Sequence, residues 1–422
     1  MKAEIKQRIA QFNNGEVPQG YKVTTVGIVP QEWAEHTLGD IFTFKNGLNK
    51  EKEAFGEGTP IVNYTDVWKK RGLRTKDIKG RVTLSSSEIE NYEAKCGDVF
   101  FTRTSETIDE IGYSSVLLED IENAVFSGFV LRARPYNDLI CKEYHQYCYS
   151  QPNMRHEIIK RSSMTTRALT SGPMLSQVSI NIPSVSEQSK IAEILMKWDE
   201  AIELQEQYIG TLENRKKFLI KKLLTPKGNW SSVKLGNIAE MYAGGTPSTQ
   251  KSEYWGGEIP WIQSGLIQNG YIDIENIDGR ITEQGLKKSS ATWIAKNSVL
   301  VAITGATCAN IAYLRCDATA NQSVISITTN AVDSLFLYFY LQSTRNKLLS
   351  LQNGSAQGGL TLKYLQNFEI MYPELSEQKK IGSILSNVDV EISMQKDIVL
   401  KLKNQRKALQ QYLLNGIVRV NK

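Results

Sequence analysis

Residues 183–191 read Pro-Ser-Val-Ser-Glu-Gln-Ser-Lys-Ile, and the pattern returns at residues 373–381 as Pro-Glu-Leu-Ser-Glu-Gln-Lys-Lys-Ile. The two copies stay in register without a gap over residues 183–224 and 373–414, where 17 of the 42 aligned pairs are identical. Chance would give only a few matches. The repeat therefore indicates one structural unit used twice, and two copies in one chain predict an approximate two-fold symmetry.

A looser repeat precedes each copy. Trp33 with Leu-Gly-Asp-Ile at 38–41 returns as Trp230 with Leu-Gly-Asn-Ile at 235–238, and little else between these landmarks matches. The chain therefore alternates between variable and shared segments. We divide it into an N-terminal extension (1–22), a first variable domain (23–183), a first shared helix (184–225), a second variable domain (226–373), and a second shared helix with a C-terminal tail (374–422).

The composition predicts a protein of more than one domain, because 422 residues are too many for one core. Its net charge of +5 is compatible with a polyanionic partner but does not require one. The first fifteen residues do not resemble a signal peptide, and no apolar stretch approaches ~18 residues, so we expect a cytoplasmic protein that does not enter a membrane. The five cysteines, without Cys-x-x-Cys spacing, are expected to be reduced thiols.

The shared segments carry apolar residues at alternating steps of four and three, which is typical of a coiled-coil seam. The predicted seam comprises Ile191, Leu195, Trp198, Ile202, Ile209, Leu212, Leu219 and Leu223 in the first shared helix, and Ile381, Leu385, Val388, Ile392, Val399, Leu402, Leu409 and Leu413 in the second. Polar residues interrupt both seams at matching positions, Gln205 with Gln395 and Lys216 with Arg406. Polar seam residues of this kind fix the register of paired helices.

Each shared helix should run for about 39 residues, or roughly 58 Å, with Ser186 and Ser376 as expected N-caps. Gly210 in the first helix is a local departure from the pattern. Because the second variable domain must leave the end of one helix and re-enter at the start of the other, and because a compact domain keeps its termini close, the two helices should be antiparallel. The alternative is a helical hairpin that merely joins two unrelated catalytic domains.

Both variable domains read as mixed α/β (α+β) structure. Residues 98–102 and 298–303 are apolar runs rich in β-forming residues and predict buried strands, and residues 335–349 predict a helix. Gly-Gly-Thr-Pro at 244–247 and Tyr-Trp-Gly-Gly at 254–257 predict loops, followed by a strand entered at residues 260–262.

Basic and amide side chains in both variable domains suit nucleic acid, because Lys and Arg contact phosphates or guanine while Asn and Gln can read adenine. The candidates are Lys69, Lys70, Arg71, Arg74, Arg103, Thr104, Arg161 and Arg167 in the first domain, and Thr246, Ser264, Lys287, Thr304, Asn310, Asn321, Gln322, Gln357 and Lys363 in the second. For any single Lys or Arg, a solvated surface charge is the simpler interpretation.

Sequence signals of catalysis are missing. The dipeptide Gly-Lys of a phosphate loop never occurs, and the one Gly-x-Gly, at 56–58, precedes Thr-Pro instead of a strand-to-helix turn. The histidines His36, His145 and His156 have neither metal-ligand spacing nor a partnered nucleophile. These features favour a binding protein without catalytic or metal residues of its own.

The whole pattern resembles the specificity subunit of a type I restriction-modification system. The resemblance rests on two tandem domains, each opened by Trp33 or Trp230 with Leu-Gly-[Asp/Asn]-Ile, and each closed by Pro-x-x-Ser-Glu-Gln-x-Lys-Ile and a long helix. Gly-Gly-Thr-Pro-Ser at 244–248 is also similar to the way such target-recognition domains begin. The first domain departs from this, with Lys-Asn-Gly-Leu at 45–48, so its loop is the least transferable.

The resemblance implies a division of labour. The specificity subunit would read a bipartite, asymmetric site in double-stranded DNA, one half-site per domain, with the helices as spacer. Two methyltransferase subunits would dock on it and methylate adenine N6 with S-adenosylmethionine, and motor-nuclease subunits that use ATP and Mg²⁺ would join through them. No cofactor is expected on this chain itself.

Two other functions stay open from the residues alone. The chain could be a stand-alone metal-dependent nuclease, which magnesium-dependent cleavage by the isolated chain would indicate. It could instead be an assembly scaffold that does not bind DNA, which would show no salt-dependent DNA association even with its partners present.

Overall fold

The computed structural model describes residues 3–350 and 359–420. They divide into two compact units, unit 1 with Met1–Leu204 and Val399–Lys422, and unit 2 with Gln205–Ile398. Each unit therefore contains one variable domain together with part of both shared helices. Within the described ranges, none of the helices has the length and apolar character that a membrane span needs.

The described residues form a mixture of helices and strands along both variable domains, with several strands in succession between helices. The helices are α1 (Ala3–Asn13), α2 (Tyr64–Lys69), α3 (Ser86–Asn91), α4 (Pro152–Arg161), α5 (Gly172–Ser176), α6 (Val185–Leu223), α7 (Glu283–Lys287), α8 (Ser334–Ser343), α9 (Arg345–Ser350), α10 (Leu362–Asn367) and α11 (Leu375–Leu414).

The strands of unit 1 are β1 (Tyr21–Thr24), β2 (Gly27–Pro30), β3 (Ala34–Thr37), β4 (Phe42–Asn46), β5 (Phe55–Val62), β6 (Gly72–Leu73), β7 (Arg81–Val82), β8 (Val99–Thr102), β9 (Thr104–Ser105), β10 (Ser114–Leu117), β11 (Val125–Phe126), β12 (Val130–Pro135), β13 (Ser163–Met164), β14 (Ala168–Leu169) and β15 (Ser179–Ile182). Those of unit 2 are β16 (Ser231–Lys234), β17 (Glu240–Ala243), β18 (Trp255–Ile262), β19 (Tyr271–Ile272), β20 (Arg280–Ile281), β21 (Val299–Ala302), β22 (Ile311–Leu314), β23 (Thr319–Ala320), β24 (Val324–Thr328) and β25 (Glu369–Tyr372).

Each unit contains a five-stranded sheet of the same topology. The strand order is β4-β12-β8-β10-β6 in unit 1 and β17-β24-β21-β22-β19 in unit 2. In both sheets only the last pair is parallel. Leu131 of β12 lies opposite Asn46 of β4, and Ile325 of β24 lies opposite Ala243 of β17. This register gives a residue-by-residue equivalence between domains whose sequences hardly match.

A second, three-stranded sheet also repeats, as β11-β5-β7 in unit 1 and β20-β18-β23 in unit 2. The pairing of β5 shifts between Phe55 and Thr59, and that of β18 shifts between Trp255 and Ile259. Tyr-Trp-Gly-Gly was expected to be a loop, and this was wrong for its last three residues, which form the start of β18. The irregular pairing explains the error, because glycines accommodate a β-bulge as readily as a turn.

In each unit, one buried core lies where the five-stranded sheet meets the shared helices. Strands β8 and β21 are buried along their whole length, as their apolar runs predicted. In unit 1, Phe101 packs in one cluster with Leu195 and Leu413, and in unit 2, Val301 packs with Leu385. The helices therefore help to form the cores of the variable domains.

The shared helices α6 and α11 begin slightly before the expected caps. Ser186 and Ser376 are not N-caps, because α6 starts at Val185 and α11 at Leu375. In α6 the Oγ of Ser184 instead accepts a hydrogen bond from the N–H of Glu187 at 3.3 Å. Gly210 does not interrupt α6, which continues through it without a break. Apart from the adjoining residues of the helix, no described atom lies within 4 Å of the place where a Cβ on Gly210 would be.

Within each unit the helices contact one another in antiparallel fashion. In unit 1, Asp199 of α6 pairs with Arg406 near the end of α11. In unit 2, the Gln205 amide donates to the Gln395 carbonyl, and Tyr208 donates to Glu391 at 2.7 Å. As residue numbers rise along α6, the numbers of the residues that they contact on α11 fall, so the helices are antiparallel, as the connectivity predicted.

All sixteen residues of the predicted seam are buried or half-buried. Those that are buried are Ile191, Leu195, Ile202, Ile209, Leu212, Ile381, Leu385, Val388, Ile392, Val399 and Leu413, and the half-buried ones are Trp198, Leu219, Leu223, Leu402 and Leu409. Burying one such leucine stabilises the fold by about 1.5–3 kcal/mol.

The expected helix at 335–349 is two helices, α8 and α9, because the chain leaves helical geometry at Thr344, where the Thr344 hydroxyl bonds back to the Tyr340 carbonyl.

Candidate nucleic-acid interface

In unit 2, several candidate residues lie at one end of the sheets. The loop between β23 and β24 holds Asn321 and Gln322, and backbone bonds link this loop to the ends of three other strands. Asn321 N–H donates to Ile262 at the end of β18, and Ile303 N–H, after β21, donates to Ser323. The N–H of Gly244, after β17, donates to the Val324 carbonyl.

These links bring together the residues that follow each strand, which are Thr246, Ser264, Thr304, Asn321 and Gln322. The Thr246 hydroxyl donates to the side-chain oxygen of Gln322. The side-chain N–H₂ group of Gln322 takes no part in this hydrogen bond. Gln322 and Thr304 are exposed, and Ser264, Thr246 and Asn321 are half-buried. Short polar side chains and one exposed amide at a common edge suit base-edge recognition.

Close backbone packing explains a glycine in both domains. A Cβ on Gly244 would lie 2.2 Å from the Ala320 carbonyl oxygen, and a Cβ on Gly47 would lie 2.0 Å from the Ser127 oxygen. Gly47 follows β4 as Gly244 follows β17. The first domain therefore keeps one of the two glycine contacts although it lacks Gly-Gly-Thr-Pro, so its loop departs less than its sequence suggested.

The remaining candidates of unit 2 are placed differently. The Asn310 amide donates to the Ile267 carbonyl at 3.0 Å and its side-chain oxygen accepts from Arg345 at 3.1 Å. Its role in base reading stays a prediction. Lys287 is exposed on α7 and Lys363 is exposed on α10. Gln357 lies outside the described residues.

In unit 1, Arg103 and Thr104 occupy the place of Ile303 and Thr304, directly after β8. Arg103 N–H donates to the Phe129 carbonyl, as Ile303 N–H does to Ser323. The Arg103 side chain is half-buried, and its Nε has no hydrogen-bond partner among the described residues. Phe129 itself is 62% exposed in the adjoining loop. The sequence pattern did not identify this residue as a candidate.

The other basic candidates of unit 1 are largely held in ion pairs. Lys70 pairs with Asp77, Arg74 with Glu119 at 3.5 Å, and Arg167 with Glu106 at 3.1 Å, while Arg161 donates to Gln177 at 2.8 Å and lies 3.8 Å from Glu157. Arg71 lies 3.9 Å from Asp199 of α6, so it is directed towards the helices. Lys69 is exposed on α2. The pairs of Arg74 and Arg167 are exposed on both sides and contribute little stability, so these arginines can exchange an acidic partner for a phosphate. The carboxylates of Asp77 and Glu157 are only 7% and 6% exposed, so Lys70 and Arg161 are held more firmly.

In each unit, one buried glutamine connects the variable domain to a shared helix. In unit 1 the Gln188 amide donates to the carbonyls of Leu139 and Pro183, and its oxygen accepts from Cys141 N–H. In unit 2 the Gln378 amide donates to the Pro373 carbonyl, and its oxygen accepts from Asp333 N–H. These contacts explain why the glutamine of Ser-Glu-Gln occurs in both copies.

A second repeated anchor is an aspartate beside each seam. Asp199 accepts from Arg406 and from the Tyr147 hydroxyl at 3.0 Å. Asp389, which is 190 residues later, pairs with Lys216 at 2.6 Å and accepts from Tyr271 at 3.3 Å. Burial raises the pKa of Tyr271 to about 12, so the phenol stays protonated and can donate. The identity of both aspartates at the repeat spacing was the sequence signal for this anchor.

Comparisons with known proteins identify the class of both domains. Residues 30–214 and 227–404 each match the family described as "Type I restriction modification DNA specificity domain", so the chain belongs to that family and is a specificity subunit with two recognition domains. This agrees with the predicted recognition role in place of a catalytic one. Within the described part of the chain, no group of three or more His, Cys, Asp or Glu is placed to hold a metal ion.

Two of three similar proteins match nearly the full length of the chain, and one matches about half of it. The chain is 25% identical to the putative type I restriction enzyme MjaX specificity subunit of Methanocaldococcus jannaschii, covering 95% of this chain and 97% of that one. It is 29% identical to the EcoR124I/EcoR124II specificity subunit of Escherichia coli over 49% of this chain and 52% of that one. The fold is similar to the type I restriction-modification S subunit from M. genitalium, with a TM-score of 0.59, 17% identity, and coverage of 90% and 96%.

Proposed function

We propose that this chain reads a bipartite site in double-stranded DNA, with one half-site per variable domain. The observation that carries the proposal is one sheet topology present twice with different side chains at equivalent loop positions. Arg103 stands where the second domain has Ile303, and Phe129 stands where it has Ser323. Two scaffolds of the same shape with different edges would read two different half-sites.

The helices α6 and α11 would set the spacing between the half-sites. At 1.5 Å per residue each spans at most roughly 58–60 Å. Because B-DNA rises ~3.4 Å per base pair, this helix length corresponds to roughly 17 base pairs. Short half-sites separated by several unread base pairs fit within this limit.

Methyltransferase subunits would dock on the shared helices. In unit 2 these helices expose apolar side chains to solvent, namely Tyr208 and Phe218 on α6 and Val390, Met394 and Ile398 on α11, each 40–62% exposed. Val390, Met394 and Ile398 recur every four residues and so share one face of α11. Apolar side chains that share an exposed face mark an interaction site. We propose that S-adenosylmethionine, ATP and Mg²⁺ are bound by methyltransferase and motor-nuclease partners, and that this chain supplies only recognition in the cytoplasm.

The test is to express this chain with the methyltransferase subunit encoded beside it, in a host without other adenine methylation, and to map N6-methyladenine across the genome. We expect one split motif, methylated on both strands. The matched control is the same methyltransferase without this chain, which should leave the genome unmethylated. A soluble complex that adds no methylation and shows no salt-dependent DNA binding would contradict the proposal and favour a protein scaffold.

A further inference from the structure

An open pocket of about 400 Å³ lies on the sheet of unit 1, between strands β4 and β12 and helix α3. It is lined by Lys45, Ser87, Glu90, Asn91, Arg132 and Arg134. Lys45 and Arg132 are directly opposite one another in the β4–β12 register, and Arg134 lies two residues further along β12, so all three project from the same face of the sheet. Three cations therefore meet in one pocket.

The acidic partners available do not balance these charges. Arg134 is held by the buried carboxylate of Asp98 through two bonds of 2.7 Å. Lys45 donates to the main-chain and side-chain oxygens of Asn91 at 2.6 Å each, and Arg132 donates to the Glu93 carbonyl at 2.7 Å. These acceptors are neutral, and among the described residues neither Lys45 nor Arg132 forms an ion pair.

Arg132 is the most unusual member of the group. Its side chain is 9% exposed, and its buried Nε has no hydrogen-bond partner in the described chain. Burial, together with the neighbouring Arg132 and Arg134, lowers the pKa of Lys45, and burial also lowers the pKa of Arg132. Asp98 and Glu93 attract Arg132 electrostatically, but Asp98 already forms an ion pair with Arg134. Burial of a second cation beside this pair is unfavourable, and a bound anion would relieve the cost.

We propose that this pocket binds a phosphate group. Lys45 and Arg132 supply the positive charge, and Arg132 and Asn91 supply N–H donors of the kind that phosphate oxygens accept. Glu90 is exposed at the pocket and can turn its carboxylate to solvent. The phosphate comes either from the DNA backbone or from a small phosphate-bearing molecule, and the two sources share this chemistry.

The three cations of the pocket are not repeated at the equivalent strand positions of the second variable domain. In the β17–β24 pair, Tyr242 and Ser326 occupy the places of Lys45 and Arg132, and Thr328 occupies that of Arg134. None of these side chains carries a positive charge. The two domains would therefore differ in phosphate binding as well as in base recognition.

The first measurement is isothermal titration of the full chain with inorganic phosphate, with chloride at equal ionic strength as the blank. We expect binding by the wild type and a loss of about tenfold or more in affinity in Lys45→Met, since a charge-assisted hydrogen bond contributes on this scale. Lys45→Arg should retain binding, which would show that the loss does not come from misfolding. Lys79→Met removes an exposed lysine of the same domain and should bind as the wild type does.

The second measurement rests on the proposed function and follows DNA affinity against salt concentration for the complex with the methyltransferase. If the pocket holds a backbone phosphate, Lys45→Met should reduce the slope of log affinity against log salt by about 0.9, and Lys79→Met should not. An unchanged slope with lost phosphate binding would assign the pocket to a small phosphate-bearing molecule. Wild-type and Lys45→Met chains that agree in both measurements would overturn the proposal, whereas absent DNA binding alone would count against the proposed function only.

Discussion

Asp199 and Asp389 each join a variable domain and two helices at a single carboxylate. Asp389 and its partner Lys216 have side chains only 12% and 21% exposed, so their attraction is weakly screened by solvent. The equivalent pair in unit 1 combines Asp199 with the two-pronged guanidinium of Arg406. The same interaction is thus made with a lysine in one unit and an arginine in the other.

We predict that Asp389→Ala lowers the stability of the full chain by about 1–3 kcal/mol, because it leaves the Lys216 ammonium poorly compensated. Adding Lys216→Met should recover part of the loss, since the double variant no longer holds an unpaired charge. Urea unfolding of the two single variants and the double variant measures the coupling. Strictly additive effects would show that the pair does not interact.

His145 predicts a dependence of stability on pH. It is 2% exposed beside the Tyr149 hydroxyl, and burial lowers its pKa to about 3. The imidazole of the unfolded chain has a pKa of about 6.5. Below that pH the unfolded chain binds a proton at this histidine and the folded chain does not. The contribution of neutral His145 to the free energy of unfolding is fully present above pH 6.5 and is lost as the pH falls towards 3.

We therefore expect His145→Gln to weaken the acid dependence of unfolding by up to about 1.4 kcal/mol per pH unit between pH 6 and 4. His156→Gln, which removes an exposed histidine of the same domain, is the matched control and should keep the wild-type profile. The measurement is urea unfolding at a series of pH values. Identical profiles for both variants would mean that the folded chain accommodates a charged His145.

Arg103 carries the sharpest prediction about recognition. Arg103→Ala should weaken binding to one half-site by about 1–3 kcal/mol, the contribution of an arginine that reads guanine. Competition binding with DNA altered in either half-site measures this in the assembled complex. A uniform loss that is independent of sequence in both half-sites would instead make Arg103 a phosphate contact.

At the scale of elements, the seam of α6 and α11 offers a test with internal controls. Leu195 and Leu385 are fully buried, whereas Leu204 and Leu400 on the same helices are 58% and 59% exposed. Leu195→Lys should destabilise unit 1 and Leu385→Lys should destabilise unit 2, each by more than about 3 kcal/mol, because a charge replaces a packed side chain. Leu204→Lys and Leu400→Lys should leave thermal unfolding of the isolated chain unchanged. Equal melting of all four variants would refute the seam.

The sequence predicted the helices closely because a single apolar period extends over some forty residues and averages out local exceptions such as Gly210. It predicted strands β8 and β21 for a different reason, because each is a short, uninterrupted apolar run. The side-chain partners of the candidate site were not predictable in this way. Asn310 meets Arg345, and Lys45 meets Arg132, only after distant strands and helices pair, so their roles depend on tertiary contacts that no local pattern contains.

At the scale of the whole molecule, the anchors between helices and variable domains explain how the domains can differ so much. Gln188 bonds to main-chain atoms of Leu139 and Cys141, and Gln378 bonds to main-chain atoms of Asp333 and Pro373. Main-chain groups are the same for every residue type except proline, which lacks the N–H. A variable domain of different sequence can therefore use the same anchor as long as its backbone follows the same path.

Exchange of a whole domain tests this argument. We predict that replacing residues 230–373 with the matching segment of another family member changes one half-site of the methylated motif and leaves the other half-site and the spacing as they were. The new segment brings its own strand-end loops, while α11 keeps Gln378 and Asp389 for anchoring and α6 keeps Lys216, the partner of Asp389. Mapping of N6-methyladenine in cells with the exchanged chain measures the outcome, and a chain with residues 23–183 exchanged is the reciprocal control. If either exchange altered both half-sites, each domain could not be reading its half-site independently, and recognition would have to depend on both domains together.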